Sequence, residues 1–212
     1  YRRVMAEFGT MEDFDRLLAA LGSRGMRLVI DLVVNHSSDE HEWFVESRSS
    51  RDNPKRDWYV WRDGKDGGPP NNYRSFFGGS AWQHDGTTDQ WYLHYFAVKQ
   101  PDLNWEVDDL RREVHDLMRF WLDKGVAGFR MDVIPFISKQ PGLPDLTPEE
   151  LRNQGRVWAA GPRVHEFLQE MNREVLAPYD AVAIGEAAGV TIEDTPLFVD
   201  SRRGELSMIF QF

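Results

Sequence analysis

Three apolar runs, each preceded by a stretch with helical periodicity, constrain the fold of this chain most strongly. The runs are RLVIDLVV from Arg27, VAGFRMDVI from Val126 and AVAIGEA from Ala181. Near-continuous apolar runs of this kind are typical of parallel strands that are buried on both faces. Helices that alternate with such strands predict an α/β fold with a parallel sheet, either doubly wound or closed into a (β/α)8 barrel.

The helices that precede these strands have recognisable ends. Residues 11–24 share one apolar face, Thr10 and Asp13 can form a capping arrangement at the start, and Gly25 suits the end. A second helix is predicted over about 108–124, and a helical region after a proline-rich loop reaches about residue 176. LSMIFQF, from Leu206, is predicted to begin a further strand.

Residues 37–103, between the first and second runs, have a different composition. They are rich in Gly, Pro, Asn, Asp and aromatic residues and show no sustained helical period. We expect an inserted, irregular, β-rich subdomain with short strands at WYVW and WYLHYF. The predicted organisation is a barrel segment over 1–36, the inserted subdomain over 37–103 and a second barrel segment over 104–212.

Composition disfavours several classes of protein and partner. The formal net charge of -10 argues against nucleic acid and anionic membranes as partners, because both attract basic proteins. The chain has no cysteine, which excludes a disulfide scaffold, a thiolate metal site and a cysteine nucleophile. Its apolar stretches are too short to span a bilayer. Aromatic residues make up 13% of the chain, which makes carbohydrate a candidate ligand.

Polar residues stand where each predicted strand ends. Asn35 and His36 follow the first strand, Arg130 and Asp132 close the second, and Glu186 closes the third. Barrel enzymes place their catalytic residues at this edge of the sheet. No glycine-rich phosphate fingerprint follows any of the strands, so a nucleotide-binding sheet is disfavoured.

Asp132 and Glu186 lie 54 residues apart, about one β/α repeat, so neighbouring strands could bring their carboxyl groups together. A retaining glycosidase needs two carboxyl groups about 5–5.5 Å apart, one ionised and one protonated. Arg130 would lie on the same side of its strand as Asp132 and keep it charged, while Glu186, farther away, would hold its proton. A pair of structural acids bound to arginine remains the alternative on spacing alone.

Other catalytic arrangements lack their motifs. No histidine has the spacing of HExxH, so no zinc site is assigned, and no GxSxG marks a serine nucleophile. His36 is either a structural histidine or a neutral imidazole that donates to a sugar hydroxyl.

Four motifs resemble the signatures of the α-amylase family, glycoside hydrolase family 13. DLVVNH (31–36), GFRMDVI (128–134) and GEA (185–187) resemble its first three signatures, and QPDLNW (100–105) resembles the one that ends its inserted domain. Within the family, the sequences of these motifs are most similar to those of the oligo-1,6-glucosidase and α-glucosidase branch. The resemblance implies part of a (β/α)8 TIM barrel, with the insert after the third barrel strand.

The resemblance also implies a role for each residue. Asp132 corresponds to the nucleophile and Glu186 to the general acid/base, while Arg130 and His36 hold the sugar on the non-reducing side of the cleaved bond. Asp31 corresponds to a structural acid that pairs with Arg130.

The resemblance to the family also suggests roles for three further residues. Phe77 and Phe96 correspond to aromatic residues that line the pocket, and Asn35 is assigned a structural role. A small oligosaccharide is the expected substrate.

Departures from the family pattern narrow the expected activity. Pro135 and Phe136 stand where endo-acting α-amylases carry Lys and His, which favours an exo-acting glucosidase with no calcium there. Asn35 and Asp102 leave a calcium site as a weaker alternative, and we assign no metal and no cofactor. Val133 favours α-1,6 linkages. We therefore predict a retaining, exo-acting α-glucosidase that acts through a covalent glycosyl-enzyme.

Other activities on the same scaffold stay open. They are sucrose isomerisation or transglucosylation, hydrolysis of trehalose-6-phosphate, and a non-catalytic role like that of the amino-acid-transporter heavy chains. The family's third carboxylate has no counterpart before residue 212. We therefore expect this chain to be a piece of a longer protein and to be inactive alone, with unpaired sheet edges. We expect the longer protein to be cytoplasmic; the sequence does not indicate its oligomeric state.

Overall fold

The structure, a computed structural model, describes residues 1–211. Its α-helices are α1 (Met11–Gly22), α2 (Glu42–Ser49), α3 (Asp108–Asp123), α4 (Pro148–Arg152), α5 (Gln154–Ala159), α6 (Val164–Met171) and α7 (Thr195–Val199). Its strands are β1 (Val29–Leu32), β2 (Trp61–Arg62), β3 (Trp82–Asp85), β4 (Gln90–Leu93), β5 (Gly128–Met131), β6 (Val182–Glu186) and β7 (Met208–Phe210). Three 3-10 turns (Ala6–Phe8, Arg56–Trp58 and Ile134–Ile137) and a π-helical segment (Asn172–Leu176) complete the regular structure.

The three predicted strands and the one begun by LSMIFQF form a single parallel sheet. Within residues 1–211 its order is β1-β5-β6-β7, and every neighbouring pair is parallel. The register pairs Asp31 with Arg130 and Met131 with Gly185, so the carboxyl ends of three strands meet at one edge. The predicted α/β fold with a parallel sheet is confirmed. Phe212, the last residue of the predicted final strand, lies outside the described residues.

Within residues 1–211, the first strand is only partly buried, and not buried on both faces as the sequence predicted. β1 covers only Val29–Leu32, its Val29 and Ile30 are half-buried, and the Asp31 side chain is 59% exposed. The physical reason is position: β1 is at the edge of the sheet and, within the described residues, pairs with β5 alone.

The insert contains an antiparallel sheet of order β2-β4-β3. It also contains α2, where the sequence analysis predicted only strands and turns. His41 caps this helix by accepting a hydrogen bond from the backbone N–H of Trp43, and one face buries Trp43, Phe44 and Ser47. Eight residues with one short buried face are too few to produce a sustained helical period.

Backbone pairing joins the far end of the 37–103 segment to the residues that follow β1. His36 and Asp102 form an antiparallel bridge, and the N–H of Leu103 donates to the carbonyl of Asn35 at 2.8 Å. The end of the insert is thereby held beside the residues that follow β1.

Two helices show the local features that the sequence predicted. The predicted capping box at α1 is present: Thr10 accepts from the N–H of Asp13, whose carboxylate accepts from the N–H of Thr10. The buried apolar residues of α3 recur at helical spacing and are Leu110, Val114, Leu117, Met118, Trp121 and Leu122. No helix within residues 1–211 combines the length and the apolar character needed to cross a membrane.

Candidate active site

One guanidinium at the carboxyl edge of the sheet contacts three carboxylates. Arg130, on β5, donates through Nη1 to Asp31 Oδ1 at 2.9 Å and to Asp132 Oδ1 at 2.7 Å. Its Nη2 donates to Glu186 Oε2 at 2.6 Å. The strand ends therefore bring together the predicted nucleophile, the predicted acid/base and the acid that the resemblance paired with Arg130.

The structure contradicts one detail of the electrostatic prediction. Arg130 contacts Glu186 as closely as Asp132, so the guanidinium does not distinguish the two acids by distance. The sequence spacing placed Glu186 farther away, but β5 and β6 are adjacent and a long arginine side chain reaches both. Burial lowers the pKa of Arg130, but its hydrogen bonds to Asp132 and Asp31 outweigh burial and raise the pKa overall.

Both candidate catalytic acids remain accessible from outside. The side chain of Asp132 is 23% exposed and that of Glu186 is 14% exposed. Both side chains are therefore partly exposed, neither fully buried in the core nor fully exposed on the surface. A ligand approaching the carboxyl edge of the sheet can therefore contact both groups.

The backbone directly after Asp132 is left-handed. Val133 has φ 37° and ψ 40°, and a β-branched residue is unfavourable in this conformation. The turn aims the N–H of Val133 at Glu186 Oε2, at 3.3 Å. The buried 3-10 turn Ile134–Ile137 follows immediately and holds this geometry in place.

His36 is buried beside Asp132. Its Nε2 lies 4.0 Å from Asp132 Oδ2 and 3.0 Å from the Gln100 amide nitrogen, and its Nδ1 lies 3.2 Å from the Asn35 amide nitrogen. Burial lowers the pKa of His36, and this effect outweighs the opposing influence of the carboxylates of Asp102 and Asp132. The imidazole is therefore neutral at neutral pH.

Lys139 is a buried cation that the sequence analysis did not assign. Its ammonium donates to Asp102 Oδ2 at 2.6 Å, to Asn35 Oδ1 at 2.8 Å and to the carbonyl of Phe136 at 2.8 Å. The only available signal in the sequence was its place five residues after the motif GFRMDVI (128–134).

The same contacts bear on the calcium alternative. The oxygens of Asn35 and Asp102 that could bind a cation are already engaged by the Lys139 ammonium. Within residues 1–211, no group of three or more histidine, aspartate or glutamate side chains is arranged to hold a metal ion.

The two predicted pocket aromatics occupy different positions. The Phe96 ring lies 5.3 Å from that of His36, whereas Phe77 is 73% exposed and touches Phe96 edge-on at 6.0 Å. Phe76, which the sequence analysis did not assign, stacks on Phe96 at 5.2 Å and on Phe136 at 5.8 Å. This aromatic stack forms one wall beside His36.

The whole chain resembles known carbohydrate enzymes. Residues 1–212 match the family model described as the alpha amylase catalytic domain. The chain is 58% identical over 215 residues to an oligo-1,6-glucosidase of Parageobacillus thermoglucosidasius, covering 100% of this chain and 38% of that protein. It is 54% identical over 214 residues to an alpha-glucosidase of Pediococcus pentosaceus, with the same coverage of 100% and 38%.

Solved structures agree with these matches. Trehalulose synthase MutB from Pseudomonas mesoacidophila MX-45 aligns with a TM-score of 0.98 at 59% identity, over 100% of this chain and 38% of that one. A MutB mutant in complex with the substrate sucrose aligns with the same TM-score of 0.98 and 59% identity. The chain thus spans less than half the length of the relatives it matches, and the resemblance drawn from its four motifs is confirmed. It belongs to the alpha-amylase family, and its parallel sheet is part of the (β/α)8 TIM barrel of the catalytic domain.

Proposed function

We propose that the protein carrying this chain is a retaining, exo-acting α-glucosidase that hydrolyses short α-glucosides, preferentially α-1,6-linked ones. The observation that carries this proposal is the single guanidinium of Arg130 between Asp132 and Glu186. Because one planar group contacts both acids, they are held near each other, which favours the short separation of a retaining pair.

In each of the two acids, one carboxylate oxygen accepts hydrogen bonds from the protein and the other is left for the reaction. Asp132 Oδ1 accepts from Arg130, which leaves Oδ2 as the attacking oxygen. Glu186 Oε2 accepts from Arg130 and from the N–H of Val133, so the catalytic proton belongs on Oε1. The arginine thus orients both acids without occupying the atoms that react.

Hydrolysis then proceeds in two balanced steps. Asp132 Oδ2 attacks the anomeric carbon, the glycosidic C–O bond breaks, and the leaving oxygen takes the proton from Glu186. Glu186, now ionised, removes a proton from water, whose oxygen attacks the anomeric carbon and displaces Asp132. Glucose is released with its original anomeric configuration, and both acids return to their starting states.

Neighbouring residues support the positioning of the sugar. His36, neutral and 4.0 Å from Asp132 Oδ2, is placed to donate to a sugar oxygen, with Phe96 packed against its ring. Phe77 would contact the sugar from the outer end of the aromatic wall. Val133 is the residue on which the preference for α-1,6 linkages rests.

Sucrose isomerisation is the second candidate, favoured by the alignment with MutB. Isomerisation uses the same glycosyl-enzyme and differs in which molecule accepts the sugar. Hydrolysis yields free glucose from isomaltose and from sucrose, whereas isomerisation converts sucrose into another disaccharide. Product analysis on both substrates separates the two candidates.

The role of the acids is tested by substitution in the longer protein expected to carry this chain. Asp132→Asn and Glu186→Gln should each lower kcat on isomaltose by at least about 1,000-fold, since each removes a group that acts in the chemical step. Glu46→Gln, on the exposed face of α2, is the matched control and should retain full activity. An Asp132→Asn enzyme with parental activity would refute the proposal.

Three further expectations belong to the same proposal. We retain the division into barrel segments 1–36 and 104–212 around an insert over 37–103, which agrees with the position of the β2-β4-β3 sheet. We also propose a cytoplasmic location. The 212-residue chain alone is expected to be inactive, because β1 and β7 each pair on one side only within residues 1–211.

A further inference from the structure

Lys139 fixes the orientation of a neighbouring amide. All three of its ammonium hydrogens have acceptors: Asp102 Oδ2, Asn35 Oδ1 and the carbonyl of Phe136. An ammonium group can only donate, so the Asn35 oxygen, and not its nitrogen, must face Lys139. Both side chains are buried, and the Lys139 side chain is only 8% exposed, which excludes water as an alternative partner for most of its surface.

The amide orientation dictates the protonation of His36. With its oxygen on Lys139, Asn35 turns its NH2 group toward His36 Nδ1, at 3.2 Å. The NH2 group has two hydrogens: one makes the longer, 3.5 Å contact with Asp102 Oδ2, and the other needs Nδ1 as its acceptor. Nδ1 is therefore unprotonated, and the single proton of a neutral imidazole is on Nε2. The imidazolium form is disfavoured as well, because its Nδ1–H would oppose the NH2 group.

The contact with Gln100, in contrast, would require Nε2 of the His36 ring to be the unprotonated acceptor. Its amide nitrogen lies 3.0 Å from His36 Nε2, while its oxygen accepts from the N–H of Ala97 at 3.0 Å. A neutral imidazole cannot accept at both nitrogens. Asn35 is held by a charged donor, and Gln100 only by a neutral backbone N–H in a more exposed place, so Gln100 is the amide that turns.

We propose that Lys139 is a positioning residue that acts through Asn35 to hold His36 as the neutral tautomer protonated on Nε2. That N–H donates to the turned Gln100 amide, 3.0 Å away, and lies 4.0 Å from Asp132 Oδ2; a bound sugar oxygen takes the place of the Gln100 acceptor. For its kinetic consequence this inference rests on the proposed glucosidase function; the tautomer itself does not depend on it.

On balance, the surroundings of His36 keep its ring neutral, because the influences that lower its pKa outweigh those that raise it. Asp132 faces it from the end of β5 and Asp102 from the end of the insert, and both carboxylates favour a protonated ring. Lys139 opposes them, and burial opposes them more strongly. The hydroxyl of Tyr1 donates to the backbone carbonyl of His36 and leaves the ring nitrogens untouched.

The test replaces Lys139 with methionine in the longer protein, with histidine labelled in its ring nitrogens. Nitrogen NMR shifts, assigned with a His36→Gln variant, distinguish the two neutral tautomers and the imidazolium directly. Lys55→Met is the matched control. Lys139 binds the Asp102 carboxylate and lies over the Tyr95 ring, and Lys55 likewise binds the Glu46 carboxylate and lies over the Trp58 ring, but Lys55 is not a neighbour of His36.

The parent and Lys55→Met should both show His36 protonated on Nε2 alone. Lys139→Met should show a mixture of forms, because Asn35 is free to turn its oxygen toward Nδ1. On isomaltose, kcat/KM should fall by about tenfold at the acid end of the pH profile, the scale of one lost charge-assisted hydrogen bond. The acid limb should move to higher pH.

A second variant covers the case in which Lys139→Met does not fold. Lys139→Met combined with Asp102→Asn removes the stranded buried charge, so thermal stability should recover while the tautomer mixture persists. A pure Nε2-protonated His36 in either Lys139 variant would overturn the proposal. Absence of glucosidase activity in the parent would instead refute the proposed function and leave the NMR result to decide this inference.

Discussion

Replacing Gly128 with alanine should force apart the two strands that carry the candidate catalytic acids. Gly128 begins β5 and pairs in register with Val182 of β6. A Cβ at this position would lie 2.1 Å from the Val182 carbonyl oxygen and 2.8 Å from the carbonyl carbon. Both obstacles are backbone atoms, so the clash can be relieved only by moving one strand away from the other.

The size of the effect follows from two contributions. Overpacking of this kind costs about 1–3 kcal/mol, and holding a non-glycine residue at an unfavourable backbone angle costs about 1–3 kcal/mol more. Gly128 has φ +156°. Together these give a loss of about 2–6 kcal/mol in the free energy of unfolding, or roughly 4–24 °C in Tm at about 2–4 °C per kcal/mol.

Activity should fall along with stability. Arg130 and Asp132 lie two and four residues beyond Gly128, so a shift of β5 changes their distance from Glu186. A misplacement of about 1 Å in a catalytic group can cost about 100-fold in rate. Thermal unfolding and isomaltose hydrolysis in the longer protein measure the two effects.

Gly86→Ala provides the control for this experiment. A Cβ at Gly86 has no heavy atom within 4 Å, so this substitution should change stability by less than about 0.5 kcal/mol. A Gly128→Ala protein with the Tm and activity of the parent would refute the reasoning, because it would mean that the strands do not approach as closely as described.

Two further predictions concern the supports of the site and of the first helix. Asn72 clamps the insert to the loop after β5, donating to the Leu146 carbonyl at 2.7 Å and accepting from its N–H at 2.8 Å. Asn72→Ala should therefore lower Tm by about 2–4 °C, and an unchanged Tm in thermal unfolding would argue against the clamp. At α1, hydrogen bonds from Thr10 lower the pKa of Asp13 below 3.8. These bonds therefore stabilise the folded state above pH 3.8, and their contribution to the free energy of unfolding is lost as the pH falls through the lowered pKa. Thr10→Ala should consequently lower Tm more at pH 7 than at about pH 3, and an equal effect at both would contradict the link.

The sequence predicted those features that depend on pattern and order. Apolar runs ending in polar residues located the strand ends, and the parallel order then placed Arg130, Asp132 and Glu186 at one edge. Thr10 and Asp13 identified a capping box because that motif is local. These predictions needed only spacing and the geometry of a strand or a helix.

Other features depend on how far a side chain reaches in three dimensions. That Arg130 contacts Glu186 as well as Asp132 follows from the adjacency of β5 and β6 and from the length of the side chain. Lys139 and Phe76 join the site from separate loops, and no spacing rule connects them to His36. α2 was not predicted because its eight residues are too few to show a sustained helical period in the sequence.

The most direct test of the account is to trap the glycosyl-enzyme. A glucosyl fluoride that carries a second fluorine on its ring slows the release step, so the intermediate accumulates in the longer protein. Digestion and mass spectrometry should find the added sugar on the peptide that contains Asp132, attached to that carboxylate. A sugar attached to a different residue, or rapid turnover with inversion and no adduct, would contradict the assignment of Asp132 as the nucleophile.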